Sequence, residues 1–121
     1  MSTIAPAYLV GLGGALGALL RHWVYSHLKR AGDPVPRATL TVNVVGSLVL
    51  GFLTAAAPGQ DLALFVGTGA CGAFTTFSSF SFETVDRWTD GKRLAAVANA
   101  LGNLVLSLAA VAAGWTLAGF V

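Results

Sequence analysis

Long uncharged stretches alternate with short charged punctuation along this chain. Residues 2–20, 38–60, 62–82 and 94–121 contain no Asp, Glu, Lys or Arg, and together they fill most of the 121 residues. Each is close to, or longer than, the roughly 20 apolar residues that cross a bilayer as a helix. The pattern predicts four helices, over about 6–28, 38–57, 62–88 and 93–120. Pro6 suits a first helical turn, where no backbone donor is needed. The segment Lys29-Arg30-Ala31-Gly32-Asp33-Pro34-Val35-Pro36-Arg37 between the first two is polar and broken by proline. Pro58-Gly59-Gln60-Asp61 and Thr89-Asp90-Gly91-Lys92 make the other two turns. Connections this short force neighbouring helices to run antiparallel. The expected fold is a single all-α, four-helix transmembrane domain.

Composition supports this reading. Hydrophobic residues make up 55% of the chain, charged residues 10%, and the mean hydropathy is +0.75; soluble domains carry about 25% charged residues. No stretch remains for a soluble or nucleotide-binding domain. The first apolar run lacks the basic start of a secretory leader and no polar domain follows it, so it is read as a span. The net charge of +2 comes from loop residues and does not describe a nucleic-acid surface. Cys71 is the single cysteine, lies inside the third run and is read as a small packing residue. Gly11, Gly13, Gly14 and Gly17 in helix 1, Gly46 and Gly51 in helix 2 and Ala98-x-x-x-Gly102 in helix 4 let backbones approach where lipid gives no hydrophobic drive. Most of them are assigned to packing within one subunit. Four helices of mostly Leu, Val and Ala cannot enclose a polar path alone, so an oligomer is expected.

Polar groups at membrane depth are the functional candidates. Arg21 is the only charged residue well inside a predicted span, and it either snorkels to the interface or acts near an ion path. His22 and His27 lie off a common face with no carboxylate or thiol beside them, which argues against a metal site. No Asp or Glu lies deep in a span, which argues against a proton- or cation-coupled transporter. Neutral donors and one cation suit an anion. Thr39, Asn43 and Ser47 share one face of helix 2, and Asn99, Asn103 and Ser107 repeat the spacing on helix 4. Two such stripes favour a polar track over interhelical glue.

The segment from Gly67 to Phe82 is a poor sequence for an uninterrupted helix. Gly67, Gly69 and Gly72 are followed by Thr and Ser hydroxyls interleaved with Phe74, Phe77, Phe80 and Phe82. A break is predicted near Gly72–Thr76. Such a break is tolerated where it is buried in protein or lines water. Its freed carbonyls can bind a cation, and the next half-helix presents its positive N-terminus. The rings of Phe77 and Phe80 project from nearby positions, and their positive edges can stabilise a small anion. Phe74 and Phe82 are read as core packing.

These residues resemble the Fluc (CrcB) fluoride channels along essentially the whole chain. The resemblance rests on Gly13-Gly14-x-x-Gly17-Ala18-x-x-Arg21, Thr39-Leu40-x-Val42-Asn43-x-x-Gly46 and Gly69-x-x-Gly72-x-x-Thr75-Thr76-Phe77-Ser78-x-Phe80, in that order. It implies an antiparallel dimer with two anion pores and a central structural sodium ion. It makes Asn43 the pore asparagine and Phe77 and Phe80 the pore phenylalanines, with Ser78 beside them. It puts Gly72 and Thr75 where backbone carbonyls bind sodium, and Asn99, Asn103 and Ser107 on the helix that contributes the polar track. Arg21 matches an arginine of helix 1, assigned to the vestibule or to anchoring. The implied activity is passive export of cytoplasmic fluoride across the cell membrane, which lowers its toxicity; the protein is a channel and not an enzyme. Hydrogen fluoride enters at acid pH and ionises, and the anion leaves down the membrane potential at about 2.3 kcal/mol per charge per 100 mV. Two other readings stand beside this one. A small multidrug-type transporter subunit is disfavoured by the missing buried carboxylate, and a non-conducting assembly protein by the hydroxyl-phenylalanine segment.

Charge also sets an orientation. Lys29, Arg30, Arg37, Arg87, Lys92 and Arg93 fall on one side of the predicted topology, against only Asp61 on the other. The positive-inside rule places the basic loops in the cytoplasm. Such a bias opposes insertion of one chain both ways, so a heterodimer with an oppositely oriented homologous chain is expected, with a homodimer as the competing reading.

Overall fold

A computed structural model of the chain describes residues 4–121, all of its regular structure helical. Helix α1 spans Ile4–Leu28 and α2 spans Arg37–Ala56. A helical run over 60–74, here α3, opens as Gln60–Leu62, widens into a π-helix over Ala63–Cys71 and closes with Gly72–Phe74. After a break at 75–77, α4 covers Ser78–Thr89 and α5 covers Arg93–Ala118. Pro6 lies in the first described turn of α1. Helix α2 stops one residue earlier than expected because Ala57 turns left-handed (φ 48°, ψ 58°) ahead of Pro58, its N–H closing on the Leu53 carbonyl.

The helices run up and down in turn. Thr39, Asn43 and Leu53 of α2 meet Glu83, Thr76 and Gly67, a descending series that marks antiparallel packing. The two close pairs are both parallel. In the first, α1 lies on α3: a Cβ on Gly13 would overlap the Phe65 carbonyl, and one on Gly17 the Ala70 carbonyl. In the second, α2 lies on α5, with Gly51 against Val111 and Gly114 against Leu48 and Phe52. These glycines therefore serve backbone contact within the chain. Gly11 and Gly102 meet nothing within 4 Å.

The distribution of side chains is inverted relative to a soluble bundle. The buried apolar core is small, with Val24, Ala38 and Val42 flanked by Tyr25 and Phe74. Thr39, Thr76, Asn99 and Asn103 are buried, whereas Leu12, Leu19, Leu94, Leu101, Leu108 and Trp115 face outward. Polar groups inside and apolar groups outside fit a hydrocarbon solvent. Helix α2, the 60–89 segment and α5 are each long and apolar enough to cross a membrane; α1 has 25 residues.

The break falls at the C-terminal edge of the predicted window. Thr75 is extended (φ −78°, ψ 162°), and α4 restarts at Ser78. The π-helix before it was not predicted. Within it the glycines 67 and 69 are buried, and the Gly72 N–H reaches back to the Gly67 carbonyl, the wider spacing that defines a π turn. Its wide turn faces the glycines of α1.

Candidate functional site

The break is held by one side chain. The Thr76 N–H donates to Asn43 Oδ1 at 2.8 Å, and Asn43 Nδ2 donates to the Thr76 carbonyl at 3.0 Å. The amide of α2 thus replaces both hydrogen bonds that the helix would have given Thr76. The Ser79 N–H is likewise taken by Thr76 Oγ1 at 3.1 Å. In an uninterrupted helix these two amides would have bonded the carbonyls of Gly72 and Thr75. Those two carbonyls therefore lose their helical donors. Thr75 adds nothing of its own here, since its hydroxyl donates back to the Cys71 carbonyl at 2.9 Å.

Two cavities flank the break. A groove of about 700 Å³ is lined by Asn43, Ser47, Asn103 and Ser107, by Gly72 and Thr75, and by Phe77 and Phe80. The two rings stand 5.8 Å apart at 49°, and Phe77 is 78% exposed. Ser107 Oγ is buried and has no hydrogen-bond partner among the described residues. Thr68, from the π-helix, also lines this groove. A second cavity of about 520 Å³ lies at the basic end and is lined by Thr39, Ser78, Glu83 and Arg87, among others. The hydroxyls of Thr76 and Ser78 lie 3.3 Å apart and link the two.

The helix 2 stripe is therefore divided. Asn43 and Ser47 open to the groove, while fully buried Thr39 belongs to the second cavity. Thr39 donates to Glu83 Oε1 at 2.6 Å. Its single hydroxyl hydrogen is then spent, so the Tyr25 hydroxyl, 2.5 Å away, donates to it. The helix 4 stripe is divided too. Asn103 and Ser107 line the groove, and Asn99 lies fully buried behind them. Both Asn43 Nδ2 hydrogens are engaged, one on Thr76 and one on Asn103 Oδ1 at 3.1 Å. Arg21 is half-buried on α1 and lies outside the lining of both cavities.

Several contributors have no marker in the sequence. Tyr25 and Glu83 meet Thr39 only because of how three helices rotate. Arg87 holds the proline-broken loop, donating to the carbonyls of Pro34 at 3.0 Å, Asp33 at 2.8 Å and Glu83 at 3.1 Å. In the same loop Asp33 pairs with Arg37 at 3.2 Å. Thr76 stands inside the hydroxyl-rich motif and could have been singled out there.

The sequence is similar to those of known proteins. The family described as CrcB-like protein, Camphor Resistance (CrcB), matches residues 8–115. The chain is 50% identical over 115 residues to the fluoride-specific ion channel FluC 2 of Haloarcula marismortui, covering 95% of each chain. It is 51% identical over 115 residues to FluC 1 of Halobacterium salinarum, covering 93% of this chain and 92% of that one. It is 46% identical over 110 residues to FluC of Paracoccus denitrificans, covering 88% and 89%.

Proposed function

Because the chain belongs to the CrcB family, we propose that it is a passive, fluoride-specific ion channel of the cell membrane that lets cytoplasmic fluoride leave. The observation that carries this reading is the groove beside the break, where the Phe77 and Phe80 rings and the unpartnered Ser107 hydroxyl stand together. Fluoride is small and strongly hydrated, so a path for it must return donors as it removes water. The hydroxyls of Ser47, Thr68 and Ser107 supply donors along the groove, and the ring edges offer positive partial charge without a competing counter-ion. The Thr76 and Ser78 hydroxyls pass the anion to the second cavity, where Thr39 lies and the basic loops begin. Asn43 and Asn103 form the wall between these stages. No coupling carboxylate is needed for downhill movement; Glu83 is already the acceptor of Thr39. Arg21 anchors α1 near the membrane surface.

The chain works as a dimer in this reading. Phe77 is a pore residue with most of its surface uncovered, and the groove is open along one side. A second chain, inserted antiparallel, closes it. The same contact explains the released carbonyls of Gly72 and Thr75. Two neutral oxygens from one chain are few for a hard cation, which is held by several oxygen ligands. Doubled across a dimer axis, they suit a sodium ion, which would supply fixed positive charge and hold the two breaks together.

The test is fluoride efflux from liposomes containing the purified protein, compared with Phe77→Ile and Phe80→Ile. Both variants keep bulk and apolarity and lose the ring edge. Rapid efflux by the native chain, reduced at least about tenfold in each variant with the folded dimer retained, is the expected result; a tenfold change corresponds to about 1.4 kcal/mol of barrier. Native-like efflux in both variants would remove the rings from the path.

A further inference from the structure

Three asparagines, Asn43 on α2 and Asn99 and Asn103 on α5, are joined end to end. The Thr76 N–H donates to Asn43 Oδ1 at 2.8 Å. Asn43 Nδ2 donates to Asn103 Oδ1 at 3.1 Å. Asn103 Nδ2 donates to Asn99 Oδ1 at 3.0 Å and to the Asn99 carbonyl at 2.9 Å. Asn99 Nδ2 donates to Thr84 Oγ1 at 2.8 Å, and the Thr84 hydroxyl donates to the Phe80 carbonyl at 2.7 Å.

From Asn43 onward every link donates toward Phe80, while at Thr76 Asn43 bonds both ways, accepting from the N–H and donating to the carbonyl at 3.0 Å. Both ends fix the amide orientations independently. A backbone N–H can only donate, so Asn43 must present its oxygen to Thr76. A hydroxyl has one hydrogen, and that of Thr84 is spent on Phe80, so Asn99 must present its nitrogen to Thr84. Turning any one amide over would set nitrogen against nitrogen and oxygen against oxygen at its contacts. In a buried setting such unmatched groups are expensive, and chains of aligned bonds reinforce one another.

We infer that Thr84, Asn99 and Asn103 are positioning residues, which together with Asn43 form a one-way amide relay that sets the geometry of the Phe77 and Phe80 rings. The relay ties the break at Thr76 to the first turn of α4 at Phe80, and both rings lie on the chain between these two ends. Phe77 is largely uncovered and has little packing of its own to hold it. Thr84 and Asn99 do not line the groove, so they act on the anion through the rings and not by contact. Because the relay runs through α2 and α5, a shift of either helix is transmitted to the ring pair. This inference rests on reading the groove as the fluoride path.

The experiment pairs fluoride flux in liposomes with hydrogen exchange of the asparagine side-chain amides, followed by NMR in micelles. Thr84→Val keeps the shape of the side chain and removes its hydroxyl; Thr84→Ser keeps the hydroxyl. Thr84→Val is expected to lower flux by about tenfold or more, the scale on which orienting partners outside a first shell act, and to speed exchange of the Asn43 and Asn103 amides. Thr84→Ser is expected to recover both. Native flux in Thr84→Val, or a loss that Thr84→Ser does not recover, overturns the relay. Should Thr84→Val fail to fold, the native chain decides. Protection of the three asparagine amides as one group supports the relay, and Asn43 amide protons exchanging as fast as those of an exposed asparagine overturn it. A native chain that passes no fluoride rejects the channel reading instead, and the exchange measurement then judges the relay by itself.

Discussion

At the scale of the residue, Asn43 shows how one side chain can hold an irregular backbone. Its amide offers one acceptor and two donors, and all three are used: the acceptor on the Thr76 N–H, the donors on the Thr76 carbonyl and on Asn103. Asn43→Asp keeps the size and the acceptor and loses both donors. It leaves the Thr76 carbonyl and Asn103 Oδ1 facing a carboxylate oxygen and adds a negative charge beside the groove. An unsatisfied buried polar group costs about 1–3 kcal/mol. That is enough to disturb the break, while the backbone contacts of α1 with α3 and of α2 with α5 remain to hold the bundle. Asn43→Asp is therefore expected to abolish fluoride efflux from liposomes while the purified protein still elutes as a dimer. Native efflux would show that neither the donors nor the neutrality of this position matters.

At the scale of the element, close approach of backbones decides which glycines matter. Lipid offers no hydrophobic gain for bringing α1 onto α3, so the pair depends on surface fit. A Cβ on Gly17 would overlap the Ala70 carbonyl and has nowhere to move, since its neighbour is backbone. Overpacking of this kind costs about 1–3 kcal/mol. Gly17→Val should lower the thermal midpoint in detergent and cut fluoride flux together, because α3 leads into the break. Gly102→Ala meets open space within the chain and should leave the midpoint unchanged or raise it, through helix propensity of up to about 1 kcal/mol. Equal effects from the two would separate stability from backbone contact. The elements themselves were legible in the sequence because lipid demands long uncharged runs, and the break because Gly, Ser and Thr cluster where a helix tolerates them least. The π-helix was not, since one extra residue per turn leaves no periodic trace in a run that is apolar all round. The division of the Thr39, Asn43 and Ser47 stripe was hidden as well. A shared helical face says nothing of the break that crosses it at Thr76, and Glu83 and Tyr25 reach Thr39 only in three dimensions.

At the scale of the whole molecule, charge distribution bears on what the partner can be. Arg87 binds the Asp33 and Pro34 carbonyls, which brings the 29–37 loop and the end of α4 to the same pole. Lys29, Arg30, Arg37, Arg87, Lys92 and Arg93 are therefore gathered at one end, while the turn at 58–61 at the other end carries only Asp61. Acidic residues contribute little to orientation, so Asp33, Asp86 and Asp90 do not offset this bias. A chain so asymmetric should insert with its basic end in the cytoplasm nearly every time. An antiparallel homodimer would need half of the copies to place that end outside. In the antiparallel dimer proposed above, a homologous chain with the opposite charge bias would close the groove without forcing this chain against its own signal. Expressed alone in fluoride-sensitive cells with a topology reporter at its C-terminus, the chain should report one orientation and give weak fluoride resistance. Co-expression with an oppositely biased relative should restore resistance. Full resistance from this chain by itself, with the reporter split evenly between the two sides of the membrane, would overturn the heterodimer and leave a dual-topology homodimer as the functional unit.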